Sequence, residues 1–118
     1  MDYKATHRYA DMSARKLRPF ANLVRGKRLD VALEALRFFP NRSARLLEAV
    51  LRSAMGNATD RGVRDVEELI VRESRIDEGP MVKRIQPRAR GTAYMIKRRY
   101  SHIRVVLSDM VDEQPAAE

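Results

Sequence analysis

Few side chains in this 118-residue sequence are suited to covalent chemistry. Ser101 stands beside His102, and Asp77 beside Glu78, which are residue types used as nucleophile, base and acid in hydrolases. Neighbouring residues of a strand point to opposite faces, so Ser101 and His102 are not expected to form a nucleophile–base pair. The two carboxylates precede a basic segment, where ion pairing is the simpler interpretation. We therefore assign no catalytic residue and expect no enzymatic activity.

Metal and cofactor binding are not expected either. The sequence has no cysteine and two histidines, His7 and His102, whereas structural zinc sites use several Cys or His ligands. It has no glycine-rich motif of the kinds that bind nucleotide phosphates. It also lacks a signal-peptide-like start and any run of 18 apolar residues. We expect a cytoplasmic protein with no metal, cofactor, small-molecule substrate or membrane association.

The distribution of charge is more informative. The net charge is +8, and the eight Lys and Arg residues of Lys4–Arg28 are accompanied by one acid, Asp11. Residues 29–78 carry eight basic and ten acidic side chains, while residues 79–108 carry eight basic side chains and no acid. An acid-free stretch of this length indicates a polyanionic partner, and we expect a phosphate backbone. A solubilising surface and membrane phosphates are the alternatives.

These cations must be positioned by a small α+β fold. The pattern predicts a strand at Tyr3–Tyr9 with its odd residues packed inward, and a helix capped by Ser13 that ends near Gly26, with a kink or late start at Pro19. A second helix is predicted from a cap at Asp30 to about Phe39, and a long third helix from Asn41 or Ser43 to about Gly62. The stripe of the third helix is Ala44, Leu47, Val50, Leu51, Ala54 and Ala58.

The second half of the chain predicts a long β-hairpin. Residues 69–76 and Tyr94–Leu107 are β-prone, and Pro87 and Gly91 bracket the predicted turn. A hairpin over 76–106 would reach about 50 Å, whereas a domain of this size has a radius of gyration near 14 Å. We expect three helices packed on a small antiparallel sheet, with a long protruding β-hairpin. Residues 1–109 would form a single domain, and residues 110–118 a mobile tail.

Arginine and lysine on such a hairpin are suited to binding RNA, because guanidinium groups bond phosphate in two places and stack on bases. Tyr94 and Tyr100 can stack on unpaired bases or pack across the strands, and the sequence leaves both open. The residues predicted to bind RNA are Lys4, Arg8, Arg15, Lys16, Arg18, Arg25, Lys27, Arg28, Lys83, Arg84, Arg88, Arg90, Lys97, Arg98, Arg99 and His102.

The sequence also resembles a known family over about residues 3–109. The motifs that carry the resemblance are Asp77-Glu78-Gly79-Pro80, Lys83-Arg84, Pro87-Arg88-Ala89-Arg90-Gly91, Lys97-Arg98 and Ser101-His102-Ile103. Weaker support comes from Ser13 with Arg15-Lys16, Leu23–Lys27, Ser53-Ala54 and Asn57-Ala58. Together they are similar to the bacterial type of the large-subunit ribosomal protein L-twenty-two family. The chain departs from the usual pattern at Pro19, Thr92 and Tyr100.

The resemblance implies a structural constituent of the large ribosomal subunit that binds 23S-type rRNA at several domains and supports early assembly. It implies a globular part near the peptide exit and a hairpin lining the exit tunnel. The implied tunnel-lining residues are Arg84, Gln86, Pro87, Arg88, Ala89, Arg90, Gly91 and Thr92. The implied partners are rRNA, neighbouring ribosomal proteins including L-four near the tip, and the passing nascent peptide. Cytoplasmic and organellar ribosomes both remain open.

Two other functions are compatible with parts of the sequence. A basic two-stranded ribbon can enter the major groove of DNA, as in some dimeric repressors, which predicts a stable dimer and preference for duplex. An enzyme acting on RNA would need converging acids, a histidine pair or a metal site in a deep polar pocket.

Overall fold

The computed structural model describes residues 2–87, 89–91 and 93–109, with backbone alone at residues 94–96. The predicted tail at 110–118 lies outside the described residues. The elements are β1 (Asp2–Ala10), α1 (Ala14–Val24), α2 (Leu29–Arg37), α3 (Arg42–Asp60), β2 (Ile70–Pro87) and β3 (Ala93–Ser108), with short 3-10 turns at Val66–Glu68 and Ala89–Gly91. The predicted α+β fold of three helices and an antiparallel sheet is confirmed.

The sheet is built around β3. Its strand order is β1-β3-β2, and β3 is antiparallel to both neighbours. Strand alternation places Ala5, Val105 and Ser74 on the face that the helices cover, since these three are buried and lie side by side in the register. The outer edge of β2 is covered in the body, because the main chain of Lys27 and Leu29 bonds to Val71 and Leu69. This pairing covers the start of the β2 edge, where an open edge could otherwise pair with another chain.

The helices supply most of the aliphatic core. All six residues of the predicted α3 stripe are buried, and α1 and α2 add Leu17, Val24, Leu29 and Leu36. Three-and-four spacing puts these side chains on one face of each helix, and the opposite faces carry the charges. Within the described residues, no helix is long and apolar enough to cross a membrane.

Two local predictions were wrong, and one of the two alternatives predicted at Pro19 does not occur. Tyr9 is exposed, because a bulge between His7 and Ala10 breaks the alternation and gives Tyr9 a φ of 60°. The first helix begins at Ala14, ahead of Pro19, so the late start does not occur. The second helix begins one residue before Asp30, whose carboxylate instead accepts a bond from the N–H of Val31.

The hairpin projects from the body. β2 has 18 residues, which at about 3.3 Å per residue corresponds to roughly 60 Å, and the long axis of the molecule is 61 Å against 31 and 24 Å for the others. The radius of gyration is 17.3 Å, whereas a compact chain of this length has about 13 to 14 Å. A bulge between Glu78 and Met81 marks the base of the projecting part. The predicted long hairpin is confirmed.

Candidate nucleic-acid interface

The outer half of the hairpin carries cations on both of its faces. β2 and β3 pair without interruption from Met81↔Arg99 to Pro87↔Ala93, which keeps their side chains in fixed alternation. Lys83, Lys97 and Arg99 therefore share one face, and Arg84 and Arg98 lie on the other. All five are exposed. An anion can approach the ribbon from either side.

Two cross-strand pairs of like charge show how differently the two halves of the hairpin are balanced. In the body, Arg75 stands opposite Arg104, and the Arg75 guanidinium lies 3.4 Å from Glu73 and 3.3 Å from Asp77. In the outer half, Lys83 stands directly opposite Lys97, and no acid occurs between residues 79 and 108. Like charges directly opposite each other destabilise a sheet. Among the described residues, no ion pair is seen at Lys83 or Lys97 to balance the outer pair as Glu73 and Asp77 balance Arg75.

The tip is a tight turn. Arg90 and Gly91 both have positive φ, 64° and 73°, and the turn residues Ala89–Gly91 are exposed. The left-handed conformation is costly for an arginine. Arg84, Gln86 and Pro87 lead into the tip and are exposed, whereas the predicted site residues Arg88 and Thr92 lie outside the described residues.

Arg98 has an acidic partner in the body. Its Nη2 lies 2.9 and 3.2 Å from the two carboxylate oxygens of Asp11, and Arg42 approaches the same carboxylate at 3.8 Å. Asp11 is the one acid of Lys4–Arg28, the basic arm of the chain. The adjacent Met12 carbonyl accepts a 2.7 Å bond from the buried Ser101 hydroxyl. These contacts join the β1–α1 connection to the base of the hairpin.

The cations of α1 have two different environments. Arg15, Lys16 and Arg18 of α1 and Arg99 of the hairpin line an open cleft of about 380 Å³ at the hairpin base, together with Glu78. The guanidinium of Arg18 also donates to the Ile76 carbonyl, and that of Arg25 donates to the Ser74 carbonyl. Arg18 and Arg25 thus hold α1 against β2, a role that the sequence did not indicate.

The remaining predicted cations lie apart from this cleft. Lys4 and Arg8 are exposed on β1, and the Lys4 carbonyl accepts a bond from the Asn57 amide. Lys27 is half-buried, and Arg28 lies 3.4 Å from Asp30. The predicted residues therefore form a hairpin group, a cleft group and a β1 group, with Lys27 and Arg28 between α1 and α2.

His102 is held by the protein itself. Its Nδ1 accepts the Tyr9 backbone N–H at 3.1 Å, and the two rings meet edge to face with centroids 5.0 Å apart. Ser101 bonds to Met12 on the buried side, so the serine and histidine do not form a catalytic pair. Within the described ranges, no three His, Cys, Asp or Glu side chains converge as a metal site would require. Of the two tyrosines considered for base stacking, Tyr100 is half-buried and lines the cleft, and the side chain of Tyr94 lies outside the described residues.

Arg104 was missing from the predicted set. It is half-buried on β3 between Thr6 and Arg75, and its Nε has no hydrogen-bond partner among the described atoms. Its position within the acid-free residues 79–108 could have marked it as a candidate RNA-binding residue. Its central position in the sheet could not be known from spacing.

Comparison with known proteins identifies the family of the chain. Residues 5–108 match the family described as "Ribosomal protein L22p/L17e". The chain belongs to this family.

Relatives named "Large ribosomal subunit protein uL22" agree with the family match. The protein of Rhodopirellula baltica is 51% identical over 111 residues, covering 90% of this chain and 93% of the relative. That of Desulforamulus reducens is 45% identical over 92% of this chain and 96% of its own length, and that of a Thermotoga species is 44% identical over 96% and 71%. Membership of this family makes the chain a structural, non-enzymatic constituent of the large ribosomal subunit.

Proposed function

We propose that the chain binds large-subunit rRNA through its hairpin and basic arm, joins several rRNA segments, and thereby supports early subunit assembly. The observation that carries the proposal is the outer half of the hairpin, a paired ribbon with exposed cations on both faces and no acid between residues 79 and 108. In the free protein Lys83 and Lys97 repel each other across the strands. Phosphates lying between them would remove this repulsion, so binding and hairpin order support each other.

The length of the hairpin and the family suggest where the ribbon lies. We infer that the globular part sits near the peptide exit of cytoplasmic ribosomes and that the hairpin lines the wall of the exit tunnel. Its tip, from Arg84 to Thr92, then lies beside ribosomal protein L-four, with the nascent peptide passing it. The support is a projecting ribbon in a molecule 61 Å long, together with its membership of a ribosomal family. A hairpin packed against the globular part of the chain could not extend this far from the core.

The proposal is tested by measuring binding of the full chain to large-subunit rRNA fragments and to duplex DNA over a salt series. The hairpin variant is Lys83→Gln with Lys97→Gln. The charge-matched control is Arg61→Gln with Arg64→Gln, two exposed cations of the α3–β2 connection. Each lost phosphate contact reduces the slope of log affinity against log salt by roughly 0.7 to 0.9. We expect the hairpin variant to lose about 1.5 from this slope and the control to resemble the unsubstituted chain.

Two results would overturn the proposal. Tighter binding to duplex DNA than to rRNA would favour a groove-binding ribbon. Equal slopes for the hairpin variant and the control would show that the ribbon does not carry the phosphate contacts.

A further inference from the structure

Phe38 is the most exposed large apolar side chain of the described residues, at 82% of its full accessibility. It follows the last residue of α2 and lies well away from the hairpin in sequence. A single exposed apolar residue is common in soluble proteins, so exposure alone carries no function. The support beneath the ring and the charges around it are what distinguish this position.

The Phe38 ring contacts one aromatic ring, which is itself supported by a second. It meets Phe39 edge to face, with centroids 5.5 Å apart and planes at 90°. Phe39 in turn meets Phe20 of α1 at 5.4 Å and 73°, and both of these rings pack against the core. The guanidinium of Arg45 donates to the carbonyls of Leu36 and Phe39, which fixes the backbone on either side of Phe38. A ligand that stacks on this ring would lose little entropy in ordering it.

The segment around the ring carries more cations than acids. Residues 34–48 contain Arg37, Arg42 and Arg45, and their acids are at the two ends, Glu34 and Glu48. Arg37 lies 3.7 Å from Glu48, and Arg42 lies 3.8 Å from Asp11, both beyond ordinary hydrogen-bond length, and each arginine side chain is more than 60% exposed. Arg37 directly precedes Phe38 and Arg42 follows it by four residues, and both guanidinium groups keep donors available to an anion.

We propose that Phe38 is a stacking platform for an unpaired RNA base, with Arg37 and Arg42 bonding the phosphates on either side of that nucleotide. An aromatic face between cations is the arrangement that single-stranded RNA uses, because every base has a π face and every linkage a negative charge. The proposal rests on the proposed function, but it assigns a site that is separate from the hairpin and outside the predicted set.

A protein partner fits this surface less well. Protein interfaces need a cluster of apolar anchors, and the residues next to Phe38 are Arg37, Pro40, Asn41 and Arg42, all exposed. Val31, the other exposed large apolar residue of this helix, lies about two turns away. Arg42 and the hairpin residue Arg98 approach the same Asp11 carboxylate, so an RNA strand leaving the hairpin base has cations to follow toward the platform.

The test compares the full chain carrying Phe38→Ala, Phe38→Leu or Phe38→Trp in binding to large-subunit rRNA fragments. Loss of one base stack corresponds to a fall in affinity of roughly 5- to 160-fold. We expect this loss for alanine and for leucine, which keeps the apolar surface but has no π face, and we expect tryptophan to bind like phenylalanine. The salt slope should stay unchanged, because no charge is removed. Val31→Ala is the matched control and should leave affinity unchanged.

The outcomes separate this site from the general function. If Phe38→Ala binds like the unsubstituted chain while the Lys83→Gln, Lys97→Gln variant is weakened, the platform is wrong and the rRNA-binding hairpin stands. If neither variant is weakened, the proposed function itself fails. Retained binding by Phe38→Leu would also overturn the platform and indicate an apolar contact such as a protein provides. Ultraviolet crosslinking of the complex, followed by mass spectrometry, should find a nucleotide adduct on Phe38. The urea midpoint of each variant shows whether it is folded.

Discussion

Replacing Gly79 by alanine tests how tightly the base of the hairpin is joined to the body. A Cβ at this position would lie 3.0 Å from the Tyr100 carbonyl oxygen, 3.2 Å from its carbon and 3.3 Å from Nε2 of His102. Neither neighbour can move away easily. The Tyr100 carbonyl belongs to the backbone of β3, and the His102 ring is held by the Tyr9 N–H on its other nitrogen. The added methyl group therefore has no space to occupy.

The size of the effect follows from the cost of overpacking, which is about 1 to 3 kcal/mol for one extra methyl group in a rigid site. We expect Gly79→Ala to lower the free energy of unfolding by this amount. Gly56 is the matched control: it lies within α3, and a Cβ there meets nothing within 4 Å. Alanine in a helix interior is favoured over glycine by roughly 0.5 to 1 kcal/mol. The same substitution should stabilise at Gly56 and destabilise at Gly79.

The assay is urea unfolding of the free chain, followed by circular dichroism at 222 nm, with the m-value checked for each variant. An unchanged m-value allows the shift in midpoint to be read as a change in stability. A Gly79→Ala chain as stable as the unsubstituted one, beside a stabilised Gly56→Ala chain, would refute the argument, because it would show that β3 and His102 yield to the methyl group.

Three further predictions concern stability. Leu47→Ala removes a fully buried side chain from the middle of α3 and should lower the free energy of unfolding by about 2 to 5 kcal/mol. Leu33→Ala truncates a half-buried side chain and should lower it by less. Equal losses for the two variants would contradict the predicted core. Arg25→Ala removes the guanidinium that bonds the Ser74 carbonyl and should cost about 1 kcal/mol in urea unfolding, whereas no change would mean that this contact does not hold α1 to β2. Arg88→Ala with Arg90→Ala should change the free energy of unfolding of the free chain by less than about 0.5 kcal/mol, since the tip has no place in the core. A large fall in melting temperature would disprove that.

The helices and the hairpin were predictable because their signals are local. The α3 stripe, the Pro and Gly residues around the tip and the run of cations can each be read from a short window of sequence, and each fixes an element or a surface by periodicity or charge alone. The wrong predictions arose where distant residues decide the conformation. Tyr9 faces outward because the end of β1 is joined to His102, 93 residues away, through a bulge that no local pattern announces.

The candidate interface also has some features that the sequence predicts and others that only long-range contacts decide. That residues 79–108 are cationic and acid-free is plain in the sequence, and so is a polyanionic partner. The pairing of Arg98 with Asp11 and the use of Arg18 and Arg25 to bond β2 carbonyls depend on contacts across many residues. The sequence did not single out Phe38, and its exposure became apparent only from the direction in which α2 ends.

By itself, the sequence determined which elements form, where the chain turns back and where positive charge accumulates, since propensity, periodicity and net charge are properties of neighbouring residues. The tertiary structure decided which cations are neutralised by the body and which remain for a partner. It also decided which aromatic rings face water. Those outcomes depend on the register of β1 and β2 against β3 and on how the helices pack over one face of the sheet, and both are set by long-range contacts.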